Sequence, residues 1–350
     1  MRGIQVRHLV LVLLMFTIPT CCYAQRYLIT DLGTLPNDTQ SEAWGMNSQA
    51  SIVGDSAGAG TNGTHGIFWT AGSGMLDLGC GQSFASGVND ANQVVGSCGP
   101  TSNTETAFLW TESGGIQNLG TLPNGSFSGA NAINAAGQVV GTSNFSSSPS
   151  DLHAFFWTAS AGMKDLGTLP GGAFSYGDGI NAAGVVVGYS GLAGSSGYHA
   201  FVWTASAGMH DLGILPGGTY SDAEAINNAN QIVGNSDSKA SKGTLRAVFW
   251  KNGNIHNLGT LNNANYSFAT SINDAGLIVG ESGPKGKDVS HAVLWKNGNT
   301  IDLNNKVCGA TGLVLLSARA INAAGQIAGY GTINGETHAF LATPTKSCTD

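Results

Sequence analysis

The chain has 350 residues, of which 42% are hydrophobic and only 10% are charged, and its formal charge at pH 7 is −7. This sparse, acidic charge argues against a nucleic-acid-binding protein, which needs clustered lysine and arginine. Apolar residues recur along the whole chain, which argues against intrinsic disorder. No amphipathic helical pattern of any length appears after residue 25.

The first 24 residues have the three parts of a secretory signal peptide. Two arginines precede an apolar stretch at 9–18, which is too short to span a bilayer, and a small-x-small pattern at 22–24 marks the cleavage site. A lipoprotein signal ending at Cys21 is the less favoured alternative, because Pro-Thr precedes that cysteine. Cleavage removes two positive and no negative charges, so the formal charge falls from −7 to −9. We therefore expect a secreted or periplasmic protein with no membrane span.

The rest of the sequence repeats one pattern seven times. An Asn and a Gly stand seven residues apart in every copy. The pairs are Asn47 and Gly54, Asn89 and Gly96, Asn134 and Gly141, Asn181 and Gly188, Asn227 and Gly234, Asn273 and Gly280, and Asn322 and Gly329. A spacing that never varies predicts a tight hairpin, since one extra residue would move every later side chain to the other face. The turn position is Gly or Asn, which tolerate positive φ, except for Ala50 in the first copy.

A second hairpin follows in six of the copies. A tryptophan ends an HAFLW-like segment and stands seven or eight residues before a DLG or NLG segment, with a short polar turn between them. Each unit therefore contains four short strands, and the mean period is about 46 residues, close to that of known propeller blades. The sequence predicts an all-β fold, a seven-bladed β-propeller of four-stranded blades, because β-helix repeats are much shorter.

The two ends of the repeat array complete each other. The last unit ends after an HAFLA segment and lacks its DLG strand, whereas residues 27–33 at the start of the mature chain read YLITDLG. We predict that residues 27–33 supply the outer strand of blade seven and so remove two open sheet edges. The alternative, in which each blade starts at its DLG segment, is less favoured. The predicted domain is 25–345, with a C-terminal tail at 346–350.

Four cysteines remain after the signal peptide, and disulfides are their default state in an oxidising compartment. Cys80 and Cys308 lie in the two connections whose length departs from the fourteen residues of the other five units. Cys80 and Cys98 fall on one face of blade two in the four-strand arrangement, which predicts that pair. A Cys308–Cys348 bond would hold the tail, although the tail leaves from the opposite face.

The connections give the ring two unlike faces. The Asn-Gly hairpin turns and the tryptophan turns share one face, here called the turn face, and vary little. The longer connections, such as 190–198 and 236–246, share the other face, here called the loop face, and differ in length and content. Because binding residues concentrate on variable loops held by a rigid scaffold, we place any ligand site on the loop face.

One position of the innermost strand differs in every copy and a second position varies between copies, although the residues that flank the first are small throughout. One position reads Trp44, Ser86, Asn131, Asp178, Glu224, Thr270 and Arg319, and the other reads Glu42, Phe84, Gly129, Tyr176, Asp222, Phe268 and Ser317. Packing alone does not require such variation, so these positions are candidates for ligand recognition.

Three of these residues are acidic and come from neighbouring blades four and five. Asp178, Asp222 and Glu224 could bind Ca²⁺ or supply acid/base chemistry. Together with Tyr176, Arg319 and Trp44 they could also form a sugar site, since aromatic faces stack on sugars. The competing interpretation is that they are solvated strand ends with no shared ligand.

Five histidines begin the HAF-like strands, at His65, His153, His199, His291 and His338. Identical positions in separate blades lie far apart around a ring, so these side chains do not converge on one metal ion. We expect them to make a repeated structural hydrogen bond. The Asn of each hairpin is expected to cap its turn through its side chain.

The segments HAFFW, LGTLPGG, INAAGQVVG and GMKDLG resemble those of the HAF-repeat family of probable extracellular bacterial proteins. The HAF triplet occurs at 153–155, 199–201 and 338–340, and the resemblance covers residues 27–342. It implies export and a propeller-like fold, and it transfers no chemistry to any residue.

The favoured function is a secreted, monomeric, non-enzymatic binding or surface-interaction module for glycans or other extracellular polymers. The first alternative is a polysaccharide hydrolase or lyase that uses the carboxylates of blades four and five. The second is a structural component of an extracellular matrix. Apart from Ca²⁺, no cofactor is expected.

Overall fold

The computed structural model describes residues 25–58, 63–100, 104–146, 148, 150–194, 196–284, 289–309 and 311–348. The predicted signal peptide at 1–24 lies outside these residues. The described chain forms seven four-stranded antiparallel sheets and one short 3₁₀ helix. None of its helices has the length and apolar character needed to cross a membrane.

Each of the first four blades uses four consecutive strands, in order from the axis outwards. Blade one contains β2 (Gln40–Met46), β3 (Ile52–Ala57), β4 (Thr64–Thr70) and β5 (Gly74–Asp77). Blade two contains β6 (Gln82–Val88), β7 (Val94–Gly99), β8 (Thr106–Thr111) and β9 (Gly115–Gly120). Blade three contains β10 (Ser128–Ile133), β11 (Val139–Asn144), β12 (Leu152–Thr158) and β13 (Gly162–Asp165). Blade four contains β14 (Ser175–Ile180), β15 (Val186–Gly191), β16 (Tyr198–Thr204) and β17 (Gly208–Asp211).

The last three blades keep the same order of strands from the axis outwards. The outermost strand of the last blade is the N-terminal strand of the chain. Blade five contains β18 (Ser221–Ile226), β19 (Ile232–Ser236), β20 (Arg246–Lys251) and β21 (Asn254–Asn257). Blade six contains β22 (Tyr266–Ile272), β23 (Ile278–Gly283), β24 (His291–Lys296) and β25 (Asn299–Asp302). After the 3₁₀ helix Leu303–Lys306, blade seven contains β26 (Val314–Ile321), β27 (Ile327–Ile333), β28 (Glu336–Thr345) and β1 (Arg26–Asp31).

The N-terminal strand closes the ring, as predicted. β1 pairs antiparallel with β28, with Arg26 opposite Thr345 and Asp31 opposite Phe340. On its other side Tyr27 forms a parallel bridge with Val307, and its carbonyl accepts a 2.8 Å hydrogen bond from the Cys308 amide. Tyr27 is 1% exposed. The first strand is therefore held from both sides.

Both predicted disulfides are present, Cys80–Cys98 and Cys308–Cys348. The sequence pattern places Cys308 and the tail on opposite faces, but the long connection after β25 runs back beside β1 and brings Cys308 next to Tyr27. Because β1 begins opposite the last residue of β28, Cys308 comes within 5.2 Å of Cys348, Cα to Cα. This disulfide therefore fastens the tail to the strand that closes the ring.

The hydrophobic core lies between blades rather than inside each one. A representative cluster joins Leu166 and Leu169 of blade three to Val186, Phe201 and Trp203 of blade four. The tryptophans of the second hairpins are 3–8% exposed, and each belongs to a cluster that contains residues of the preceding blade. Neighbouring blades thus stabilise one another by apolar burial.

The hairpin asparagines form a closed ring of hydrogen bonds around the turn face. Each Nδ2 donates to the main-chain oxygen of the equivalent Asn in the next blade, from Asn47 to Asn89 through Asn273 to Asn322, at 3.0–3.3 Å. Asn322 returns to the oxygen of Asn47 at 3.4 Å. Each Oδ1 also accepts amides of its own turn, as at Gln49 and Ser51. The predicted capping role is confirmed, and the link between blades was not foreseen.

The histidines of the HAF segments make the predicted structural hydrogen bond. His153 and His199 contact Asp165 and Asp211 of the same blade at 2.8 Å, and His338 contacts Asp31 across the closure at 2.9 Å. Burial raises the pKa of Asp165, but hydrogen bonds from His153 and the Gly167 amide, and the His153 charge, bring it below its ordinary value. His65 departs from the pattern and contacts Asp38.

Ala50 occupies a turn position that suits Gly or Asn. Its φ is 61°, whereas the same position in the other blades holds residues such as Gly137 and Asn230, with φ of 72° and 56°. A left-handed conformation costs a residue with a Cβ roughly 1 kcal/mol. We expect Ala50→Gly to raise the free energy of unfolding by about 1 kcal/mol in urea titrations. Ala136→Gly, at a turn position without positive φ, should not stabilise, and equal stabilisation by both would contradict this account.

Candidate functional site

Every innermost strand contains a β-bulge at the same place. The register shifts between Ala43 and Gly45 in blade one and between Gly177 and Gly179 in blade four, and at the same step in the other five blades. The bulged residues form what we call the axial ring, which consists of Trp44, Ser86, Asn131, Asp178, Glu224, Thr270 and Arg319. A bulge re-aims a side chain and is common beside functional sites. The variable position was predicted, and the bulge was not.

The glycine that ends each VVG segment is required by this bulge. A Cβ on Gly188 would lie 1.9 Å from the carbonyl oxygen of Tyr176, and a Cβ on Gly54 would lie 1.9 Å from that of Glu42. No side chain fits at this distance, so glycine allows the bulged strand to approach. The repeated Gly therefore supports the axial ring as well as the hairpin.

The axial ring lines a cavity of about 260 Å³ at the centre of the propeller. Trp44, Asp178, Glu224 and Arg319 contribute to its wall, which continues towards the turn face through residues such as Ile180. Tyr176 and Asp222 do not line it, because they stand one step nearer the loop face, opposite Tyr189 and Asn235. The six predicted site residues thus lie in two layers rather than around one mouth.

Arg319 is the only basic residue of the axial ring, and it is held between two aromatic rings. Its guanidinium carbon lies 4.7 Å from the Trp44 ring centroid and 5.3 Å from that of Tyr330, and Nη2 donates to the Tyr330 hydroxyl at 3.1 Å. The Trp44 indole donates to Asp55. These contacts fix the cation on the side of the cavity formed by blades one and seven.

The acidic residues of blades four and five share a poorly solvated region. Burial first, and then Glu224 and Asp222, raise the pKa of Asp178 well above its ordinary value. Burial and Glu224 raise the pKa of Asp222 to about 8, against the effect of a 2.8 Å hydrogen bond from Asn235. Burial also raises the pKa of Glu224, whose side chain is open to the cavity, and Arg319 opposes that shift. The ionised forms of these three carboxyl groups are therefore disfavoured.

A row of aromatic side chains lies beside these acids on the loop face. Tyr176 and Tyr189 stack with centroids 4.7 Å apart, Tyr189 contacts Tyr198 at 4.9 Å, and Tyr198 contacts Tyr220 at 5.0 Å. Phe174 meets Tyr176 edge-on at 6.0 Å. All five are half-buried. We call this group the tyrosine shelf, and it spans the boundary between blades four and five.

The acids and the shelf act on one another electrostatically. Burial raises the pKa of Tyr198 to about 12, and Asp222 adds to that rise. Burial and the nearby Asp178 also raise the pKa of Tyr189. These tyrosines therefore stay neutral at physiological pH, and their hydroxyls can donate hydrogen bonds to a ligand.

Sequence reasoning found Tyr176 and missed the rest of the shelf. Tyr189, Tyr198 and Tyr220 lie outside the innermost strand, and only the strand pairing and a bridge between Tyr198 and Tyr220 bring them together. The available signal was composition, because four of the eight tyrosines fall within 176–220.

The hypothesis of a Ca²⁺ site receives no geometric support. Among the residues that the structure describes, no group of three or more His, Cys, Asp or Glu side chains could hold a metal ion. Asp178 and Asp222 are instead engaged by the amides of Asn131 and Asn235. We assign no metal to the cluster.

Comparison with known proteins gives a likeness of shape. No family model matches this sequence, and no curated protein does. A TolB-like protein from Agrobacterium tumefaciens has a TM-score of 0.48 and 12% identity over 80% of this chain and 97% of its own. A gluconolactonase from Xanthomonas campestris has a TM-score of 0.41 and 13% identity, with 72% and 86% covered. AofleA from Arthrobotrys oligospora has a TM-score of 0.41 and 12% identity, with 79% and 90% covered. At these scores and identities the likenesses say nothing about ligand or activity, and the site has to be interpreted from its own residues.

Proposed function

We propose that the protein is an exported, non-enzymatic binding module that recognises carbohydrate on its loop face. The observation that carries the proposal is the tyrosine shelf, in which four tyrosines in successive ring contact border Asp178 and Asp222. Aromatic rings present a negative face to the weakly positive C–H groups of a sugar. Carboxyl and phenol groups beside the rings would bind its hydroxyls.

The position of the shelf also fits a polymer ligand. The tyrosines run across the boundary between two blades, so several sugar units can lie along them. A rigid aromatic surface loses little conformational entropy on binding. The variable connections on this face agree with recognition, whereas the turn face is nearly uniform.

Export is part of this proposal. Two disulfides are typical of an oxidising compartment, and the N-terminal signal pattern and the resemblance to the HAF-repeat family point the same way. An extracellular glycan would then be the natural partner.

The proposal is tested by a glycan array with the mature protein, followed by calorimetry on the best ligand. We expect Tyr189→Ala to weaken binding about tenfold, the loss expected for one stacking ring. Tyr266→Ala is the matched control, because Tyr266 is also half-buried on the loop face but packs on Phe268 of blade six. Equal affinity of wild type and Tyr189→Ala, or no glycan bound at all, would contradict the proposal.

A polysaccharide hydrolase or lyase is the second candidate. The raised pKa values of Asp178 and Asp222 favour it, since a general acid must hold its proton near neutral pH. Reducing-end assays on each bound polysaccharide would separate the two functions. Turnover abolished by Asp178→Asn or Glu224→Gln would support the enzyme, and binding without turnover would support the module.

A further inference from the structure

The groove between blades five and six on the turn face differs from its equivalents in the ring. It holds a cavity of about 510 Å³, lined by Gln231, Phe249, Lys251, His256, Trp295 and Lys296 among others. None of the described residues that line it is acidic, although the chain carries a formal charge of −7. A pocket free of acids in such a protein favours a negatively charged ligand.

Two local changes in the repeat create this groove. Lys251 and Lys296 follow the tryptophans of blades five and six, where blades one to four have Thr70, Thr111, Thr158 and Thr204. The turns that follow are the two-residue pairs Asn252-Gly253 and Asn297-Gly298, with positive φ throughout. This is the geometry of a tight type I′ turn. Blades one to four have three-residue turns at this point, so blades five and six carry less chain above the groove.

Three side chains of the groove, Lys251, Lys296 and Gln231, have hydrogen-bond donors that the described residues leave partly or wholly unused. Among the described residues, Lys251 makes no hydrogen bond or ion pair, and Lys296 makes one hydrogen bond, to Oε1 of Gln25. Gln231 accepts from Asn227 through Oε1, which leaves its Nε2 group to donate. In the equivalent groove of blades three and four, Nζ of Lys164 lies over the Trp203 ring, 5.2 Å from its centroid.

Trp295 supplies a buried donor that the fold leaves unused. It is 3% exposed, and its Nε1 has no hydrogen-bond partner in the described structure. The equivalent Trp250 donates to the Leu212 carbonyl at 3.0 Å. In blade six the corresponding carbonyl, that of Leu258, accepts from Thr300, which stands where blade five has Ile255. An unpaired buried donor is costly, so a ligand acceptor there would be favourable.

We propose that this groove binds an acidic sugar through its oxyanion group. Lys251 and Lys296 neutralise the charge, Gln231 and Trp295 donate to the oxygens, and the half-buried Phe249 covers the apolar face of the ring. The cavity is far larger than an inorganic ion, so we expect the anionic group to be part of a larger molecule. Carboxylate and sulfate share this chemistry, and the groove is separate from the tyrosine shelf.

The test follows the indole N–H signals of the seven tryptophans by NMR, with the Trp295 signal assigned by Trp295→Phe. The probes are sodium glucuronate and glucose 6-sulfate, with glucose and sodium chloride at equal ionic strength as controls. We expect the Trp295 signal to shift with at least one anionic sugar and with neither control. The anion that binds identifies carboxylate or sulfate as the source.

The matched variant is the double replacement Lys251→Thr and Lys296→Thr, which restores the residues of four other blades and should fold. We expect it to bind about tenfold more weakly, because two charges are lost. Lys242→Ala, at an exposed lysine outside the groove, should bind as wild type does. The proposal is overturned if the Trp295 signal does not shift at ~50 mM of either anion, or if it shifts equally with glucose. Unchanged affinity in the double variant would also overturn it.

Discussion

Replacing Tyr27 by alanine is expected to lower the free energy of unfolding by about 3–5 kcal/mol, the range for a large buried aromatic side chain. Tyr27 is 1% exposed and packs in the cluster that joins blades six and seven, with Phe340, Leu315 and Leu303. It lies on the strand that joins the first residues to the last blade. Its removal therefore weakens the closure of the whole ring.

Tyr27→Phe is expected to change the free energy of unfolding in the opposite direction. It separates the packing of the ring from the burial of the hydroxyl. The Tyr27 hydroxyl is buried without a hydrogen-bond partner in the described structure. Removing it should raise the free energy of unfolding by about 1 kcal/mol. Urea denaturation of the mature, oxidised protein measures both variants. A Tyr27→Ala protein within about 1 kcal/mol of wild type would show that this strand does not hold the ring.

The same residue predicts a change at alkaline pH. Burial raises the pKa of Tyr27 from 10.0 to about 12. Between these values the unfolded chain ionises and the folded protein does not, so stability is lost as the pH rises from 10 towards 12. Tyr27→Phe lacks this contribution, and its stability should fall less steeply over that range.

Replacing Asp222 by asparagine is expected to raise the free energy of unfolding at pH 7 by on the order of 2 kcal/mol. Burial and Glu224 raise the pKa of Asp222 from 3.8 to about 8. The folded state thus keeps a proton that the unfolded state has released. The contribution of protonated Asp222 to wild-type stability is complete below about pH 4 and is lost as the pH rises towards 8. Wild-type stability should therefore decline over this interval. Asparagine can keep the hydrogen bond from Asn235 without a charge.

Asp165 provides a control of opposite sign. Hydrogen bonds from His153 and the Gly167 amide bring its pKa below the ordinary value despite burial. Its ionised form stabilises the folded state above about pH 4, so Asp165→Asn should destabilise at pH 7. Urea midpoints from pH 4 to 8 measure both variants. Stability that rises over that interval in wild type, with no gain in Asp222→Asn, would show that the cluster is not strained.

An acidic cluster that costs stability is expected where function requires it, because the axis could be filled by apolar residues instead. The ionised forms of Asp178, Asp222 and Glu224 repel one another. Among the described residues, the one cation that lowers the pKa of any of the three is Arg319, which acts on Glu224 and is engaged by Trp44 and Tyr330. The variant Asp222→Asn should therefore gain stability and lose affinity for the ligand of the shelf.

The fold was predictable because each blade repeats the same local rules. The constant spacing of Asn47 and Gly54 and of their counterparts fixed the first hairpin, and the DLG segment missing from the last unit matched residues 27–33. The side-chain contacts between blades were not predictable from one repeat. The asparagine ring and the Ser175 hydroxyl, which donates to Gly167 of the previous blade and accepts from Ala154, depend on how the blades are rotated.

The site was predictable only in part for a related reason. Variation along the innermost strand pointed to Asp178, Glu224 and Tyr176, but a strand without a bulge would place its side chains differently. The bulge depends on the close approach of Gly188 to the Tyr176 carbonyl, which is a tertiary effect. Tyr198 begins a strand and Tyr220 lies in the connection before another, where sequence patterns give no contacts.

The most direct test of the loop-face site is a titration of tyrosine-labelled protein with its best-binding glycan, followed by ¹³C NMR of the rings. Residues 25–350 contain seven tyrosines, namely Tyr27, Tyr176, Tyr189, Tyr198, Tyr220, Tyr266 and Tyr330. We predict that the signals of Tyr176, Tyr189, Tyr198 and Tyr220 shift together, with one affinity, while those of Tyr27 and Tyr266 stay in place. Shifts confined to Tyr266 would contradict a carbohydrate site on blades four and five. The absence of a shift in all four shelf tyrosines would also contradict it.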